Sequence, residues 1–121
     1  MQIADASQGF GVGRTYAVAW RIDRGSICVG ELELGAAVLL GGAEASGRRV
    51  ALCLRRDEIA SVRQAGSGER LRGRRTLVLV RHDGVEIAVG SLDRPGTALE
   101  LEEGLRQADT PAAAASRRLR Q

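Results

Sequence analysis

The sequence predicts a mainly β domain: six to seven antiparallel strands, curled into a bent sandwich or barrel and capped by one C-terminal α-helix. Three observations carry that prediction. Apolar residues recur at every second position in successive stretches between residues 15 and 91, the period of a strand with one buried face. The stretches are joined by short segments rich in Gly, Ser and Asp, so consecutive strands turn back on one another and pair antiparallel. Beyond residue 96 the period lengthens, with Ala98, Leu101, Leu105 and Ala108 at helical spacing.

The elements follow in order. Residues 1–14, "MQIADASQGFGVGR", are Gly-rich with weak periodicity and read as a flexible arm. "TYAVAWRI" (15–22) sets Tyr16, Val18, Trp20 and Ile22 on one face. "DRGS" is a turn, and "ICVGELEL" (27–34) is a second strand whose Glu31 and Glu33 mark a wet face. "AAVLLGG" (36–42) is the third strand and "RVALCLR" (49–55) the fourth, with Val50, Leu52 and Leu54 inward. In "RDEIASVRQ" the alternation breaks, and Ile59 and Val62 return to the core three residues apart, as a bulge or single helical turn would place them. "AGSGERLRG" (65–73) reads as a loop. "RRTLVLVR" (74–81) and "VEIAVGS" (85–91) form a strand pair around the turn "HDG", where Asp-Gly supplies the positive φ a tight turn needs. The helix is expected over about 97–108, opened by a capping box of Thr97 and Glu100. Asp93 ahead of Arg94 and Pro95 is a competing start signal. Gly104 reads as an internal weakness of about 1 kcal/mol relative to Ala. Residues 109–121, "DTPAAAASRRLRQ", read as a disordered basic tail.

The 121 residues suffice for one domain, here 15–108, with its own core. Aromatics are limited to Phe10, Tyr16 and Trp20, so the core is built from Leu, Val, Ile and Ala. All 18 basic residues are arginine, and the Arg, Ala and Gly bias suggests a GC-rich bacterial genome. The net charge is +3, but unevenly spread. Between Arg48 and Arg81, ten arginines stand against Asp57, Glu58 and Glu69, a local balance of +7. The first residues lack an apolar core for a signal peptide. The longest apolar run, "GAAVLLGGA", is too short to span a bilayer. Cys28 and Cys53 lie far apart with no metal-ligand spacing. A cytoplasmic protein with reduced thiols is expected, peripheral at most to the inner face of a membrane.

The stretches "GELELGAAVLLGG", "VALCLRRDEIASV", "LVLVRHDGVEIAV" and "ALELEEGLRQA" carry a resemblance. In order and pattern the chain resembles the pleckstrin-homology-like (PH-like) superfold, especially its small bacterial and GRAM-type members. The resemblance covers roughly residues 15–108 and implies a seven-stranded bent sandwich closed at one corner by the helix. It further implies a binding module for phosphoinositides, peptides or other domains, and no enzyme. Lipid-binding members place basic residues around the first strand–strand loop. Here that region is "RIDRGSICV", with Arg21 and Arg24 but with Asp23 between them.

Candidate sites follow from chemistry. His82 is the one histidine; beside Asp83 on a strand end, the two side chains point apart, so no catalytic set is assembled. One His and two distant Cys make no zinc site, and "GFGVG" precedes a strand and lacks the Lys-Ser/Thr of a phosphate loop. No catalytic residue, metal or cofactor is expected. A cyclic-dinucleotide barrel of PilZ type would need an R-x-x-x-R run that "DRGSICVG" does not offer. Nucleic acid is disfavoured because the aromatics that could stack bases are confined to residues 10–20. What remains is an Arg-rich face of Arg55, Arg56, Arg63, Arg70, Arg72, Arg74 and Arg75, expected to dock an acidic protein partner. The alternative is an anionic membrane surface met by the same residues with Arg21 and Arg24.

Overall fold

The computed structural model describes residues 14–108; the predicted tail 109–121 and all of the predicted arm except Arg14 lie outside them. Seven strands follow one another: β1 (Arg14–Ile22), β2 (Cys28–Leu34), β3 (Ala37–Glu44), β4 (Arg49–Arg55), β5 (Ile59–Gln64), β6 (Thr76–Arg81) and β7 (Glu86–Ser91). One helix, α1 (Pro95–Ala108), ends the domain. The strands form a single antiparallel sheet in the order β4-β3-β2-β1-β7-β6-β5, curled into a half-barrel. It is not a simple meander. β4 and β5 are consecutive in the chain yet form opposite edges, joined by a 3-10 turn at Arg56–Glu58. β1 sits in the middle, paired with both β2 and β7.

The concave face holds the main core. Tyr16, Val18 and Trp20 of β1 meet Leu32, Val38, Leu40, Leu54, Leu79 and Ile87, and Leu101 and Leu105 of α1 close the end. Each such aliphatic side chain contributes roughly 1.5–3 kcal/mol on burial. Trp20 is fully buried, and its indole N–H donates to the Gly41 carbonyl at 3.1 Å. Beside it the backbones of β2 and β3 approach closely: a Cβ at Gly30 would collide with the Gly41 carbonyl, and Gly42 holds a φ of +155° that other residues rarely adopt.

Four local expectations change. The seventh strand is β5, in the stretch whose broken alternation predicts a bulge or a single helical turn. Its pairing with β6 slips from Ile59↔Arg81 to Ser61↔Val80. The extra residue lets Ile59 and Val62 both face inward with Ala60 and Ser61 exposed between them; the helical turn precedes this bulge. The loop 65–75 is also more than a connector. It contains two 3-10 turns and drops Leu71 onto the convex face, where it is buried with Ala19 and Ala88 against Ile27 and Leu92. The helix starts at Pro95, two residues before the Thr97 cap: the Thr97 and Ala98 amides bond the Arg94 carbonyl. Proline suits a first helical position because its missing N–H is not needed there. Gly104, finally, is no mere weakness, because a Cβ there would collide with Leu34 of β2. No described helix is long and apolar enough to cross a membrane.

Candidate functional site

The seven arginines assigned to one face are divided by the fold. Arg56 is half-buried and donates from its guanidinium to the Gly35 carbonyl at 2.8 Å, holding the β4–β5 corner to the β2–β3 turn. Arg63 binds Glu69 through two bonds of 2.9 and 3.1 Å and approaches Glu86 at 3.6 Å. It thereby ties the 65–75 loop to the sheet. Arg55, at the end of edge strand β4, faces Asp57 at 3.2 Å with both side chains largely exposed. Three of the seven are thus engaged within the fold, two of them structurally.

Arg70, Arg72, Arg74 and Arg75 remain together, all exposed, on the one loop. That loop is a knot with a defined shape. The Leu71 amide donates to the Thr76 hydroxyl at 2.9 Å, that hydroxyl donates to the Arg74 carbonyl at 2.8 Å, and the Arg74 amide returns to the Leu71 carbonyl at 2.9 Å. Buried Leu71 and Thr76 anchor it from below. Arg72 and Gly73 both take positive φ, +55° and +71°. For a non-glycine residue that conformation costs about 1 kcal/mol or more and persists only when its surroundings impose it. Among the described residues Arg70, Arg72 and Arg75 have no hydrogen-bonded or ion-pair partner; Arg74 reaches the Asp93 carbonyl at 3.4 Å.

Beside the knot lies a hollow of about 250 Å³ lined by Arg74, Arg75, Ser91, Asp93, Ala98 and Leu99. Leu99 is 55% exposed, the most exposed large apolar side chain among the described residues. The sequence reading missed it, although a signal was present: Leu99 falls off the Ala98, Leu101 and Leu105 stripe that the helix buries.

Arg21 and Arg24 stand apart from this group, in a cleft of about 810 Å³ shared with Asp23, Gly68, Glu69 and Glu86. Glu69 is held down at about 2 by the Arg63 guanidinium and the Gly66 amide, so it stays ionised. Asp23 accepts from the Glu86 amide at 3.0 Å. Among the described residues Arg21 has no bonded partner, and its Nε is buried without an acceptor. Two guanidiniums here face three carboxylates.

Nothing in the described residues assembles a catalytic set. His82 is exposed in the β6–β7 turn. No three His, Cys, Asp or Glu side chains come together to hold a metal ion among the described residues. Cys28, on the parity of Leu32 and Leu34, is buried; Cys53, opposite in parity to Leu52 and Leu54, is exposed, where parity alone predicts half-exposure.

Comparison with known proteins places the architecture and nothing finer. No family model matches the chain, and no curated protein does. Among solved structures, it is similar to the C-terminal domain of an unknown protein from Leishmania infantum, at 14% identity and a TM-score of 0.61. The match covers 84% of this chain and 89% of that one. The likeness is one of fold.

Proposed function

We propose that this domain is a non-catalytic docking module of PH-like type, whose basic knot and adjoining hollow receive an acidic segment of a partner protein. Its apolar anchor fills the hollow over Leu99 while its carboxylates meet Arg70, Arg72, Arg74 and Arg75. The observation that carries this reading is the 55% exposure of Leu99 in a hollow walled by Arg74 and Arg75. Protein-binding sites combine an apolar anchor with arginine around it. A knot already held in shape lowers the ordering cost of binding.

Anionic lipid is the second reading, favoured by the unpartnered guanidinium of Arg21 in the cleft beside Arg24. Asp23, Glu69 and Glu86 in the same cleft repel a polyanionic headgroup, which ranks this reading lower. Nucleic acid is ranked lower still, because Tyr16 and Trp20 are buried and present no stacking surface.

The test is a titration of labelled protein with a short glutamate-rich peptide carrying one leucine, followed by amide NMR. Shifts are expected at residues 70–75 and 91–99, weakening with salt. The variant Arg72→Ser/Arg74→Ser/Arg75→Ser should lose them, and a leucine-to-serine peptide should bind more weakly. Equal binding by the triple variant, or equal binding of a glutamine-for-glutamate peptide, overturns the reading. Vesicles with and without anionic lipid form the parallel arm. Binding that rises with anionic content and is lost in Arg21→Ser/Arg24→Ser would favour the membrane instead.

A further inference from the structure

We propose that the open edge of β4 is a second docking surface, which takes up an extended acidic segment of a partner protein as an added strand. β4 is an outermost strand, paired only with β3. The Glu44 amide donates to the Arg48 carbonyl at 2.9 Å, which sets the phase of the ladder. Val50, Leu52 and Leu54 therefore exchange bonds with β3, while Arg49, Ala51, Cys53 and Arg55 turn their amides and carbonyls outward. The Arg55 amide is taken by the Glu58 carboxylate at 2.8 Å. At Arg49, Ala51 and Cys53 the outward groups have no partner among the described residues. The opposite edge is treated differently: Arg106 of α1 donates to the outward Val62 carbonyl at 2.9 Å, the Gln64 side chain donates from Nε2 to the Glu102 carboxylate on the same helix, and the bulge interrupts the ladder. The helix shields β5 and leaves β4 open.

Both faces of β4 suit a further strand. On the inner side Val50 and Leu52 are only half-buried against the main core, so alternate apolar residues of an added strand would extend that core. On the outer side exposed Ala51 and Cys53 adjoin Leu39, which is 42% exposed. Arg49 and Arg55 stand at the two ends of this outer face, six residues apart and both exposed.

Those two charges choose the occupant. If a second copy paired antiparallel along the full length of β4, Arg49 would lie opposite the partner's Arg55, and like charges directly opposite destabilise a pair. A strand with acidic residues six apart meets the same positions favourably. Neither residues 1–13 nor residues 109–121 supply it. Residues 1–13 hold one acid, Asp5, and residues 109–121 hold Asp109 against Arg117, Arg118 and Arg120. The occupant is thus a segment of another protein with acidic residues at both ends and apolar residues alternating between them, bound chiefly through its main chain.

The probe is a synthetic peptide with two glutamates six residues apart and valine at the alternate positions between them. It should slow hydrogen exchange of the Ala51 and Cys53 amides. Arg49→Glu/Arg55→Glu should weaken it on the order of tenfold and favour the lysine counterpart of the peptide. Ala51→Pro removes one outward N–H but no bond to β3, and should abolish binding in a folded protein. Should that variant unfold, a peptide N-methylated on its inward-facing amides tests the same bond on the parent protein. Arg72→Ser/Arg74→Ser/Arg75→Ser should bind the probe normally, because its changes lie on the other docking surface. Unchanged exchange at Ala51 and Cys53, or equal binding of the N-methylated peptide, overturns the proposal. So does concentration-dependent self-association abolished by Ala51→Pro, which would make β4 a self-pairing edge.

Discussion

Cys28 and Cys53 occupy opposite settings on a sheet that offers only two faces. Cys28 is 3% exposed, and burial, reinforced by the Glu44 charge, pushes its thiol above the ordinary cysteine value. Cys53 stands exposed on the outer face of β4. A thiol reagent at neutral pH is expected to modify Cys53 rapidly and Cys28 only as fast as the domain opens, since the thiolate is the reactive form. Mass spectrometry of partially labelled protein checks this; rapid modification of both sites would contradict the placement of Cys28. Strand parity made these settings legible in the sequence. It could not do the same for the arginines. Arg56 bonds a carbonyl 21 residues earlier in the chain and Arg63 a carboxylate six residues later. A charge whose partner is brought by the fold looks, in sequence, like any solvated charge.

The helix shows how an element acquires constraints its own sequence does not state. By propensity alone, alanine in place of Gly104 would stabilise α1 by about 1 kcal/mol. In the folded domain that methyl group meets a terminal methyl of buried Leu34 of β2, so either the helix shifts or the Leu34 methyl turns aside into its packed surroundings. Gly104→Ala is therefore expected to lower the thermal midpoint by several degrees, through overpacking costs of about 1–3 kcal/mol. A raised midpoint would show that propensity wins and the contact is slack. The same lesson applies to β5 and the 65–75 loop. The three-residue spacing of Ile59 and Val62 signalled a bulge, but not that the bulge opens a seventh strand. A lone Leu71 among Arg and Gly gave no periodic signal at all, because burial by a single anchoring side chain has no period.

Across the molecule, two carboxylates close loops in ways that depend on pH. Glu69 fastens the basic knot to β5 through Arg63, and Asp83 fastens the β6–β7 turn through Arg81 and the Val85 amide; both are held at about 2. Their ordinary values are 4.5 and 3.8. A carboxyl with a lowered folded pKa stabilises the fold above its unfolded value, and that contribution fades as pH falls toward the folded one. Denaturant midpoints should therefore decline between about pH 4.5 and 2. Glu69→Gln/Asp83→Asn should flatten the decline, with Glu44, lowered by Arg48, and Glu102, lowered by the Gln64 side chain and then by Arg106, supplying what remains. An unaltered slope in that double variant would show that neither pair contributes.

By itself the sequence determined the fold class, six of the seven strands, the helix and the inward faces of β1, β2 and β4, because alternation and helical spacing record burial along the chain. The tertiary structure decided what depends on which distant residues meet. It placed β1 at the centre and β4 and β5 at the edges, and left one edge open while α1 shields the other. It also gathered four exposed arginines, three of them without a partner among the described residues, beside an exposed leucine, and separated them from Arg55, Arg56 and Arg63. Those outcomes depend on curvature and on long-range pairing, which leave no periodic trace in the chain that produces them.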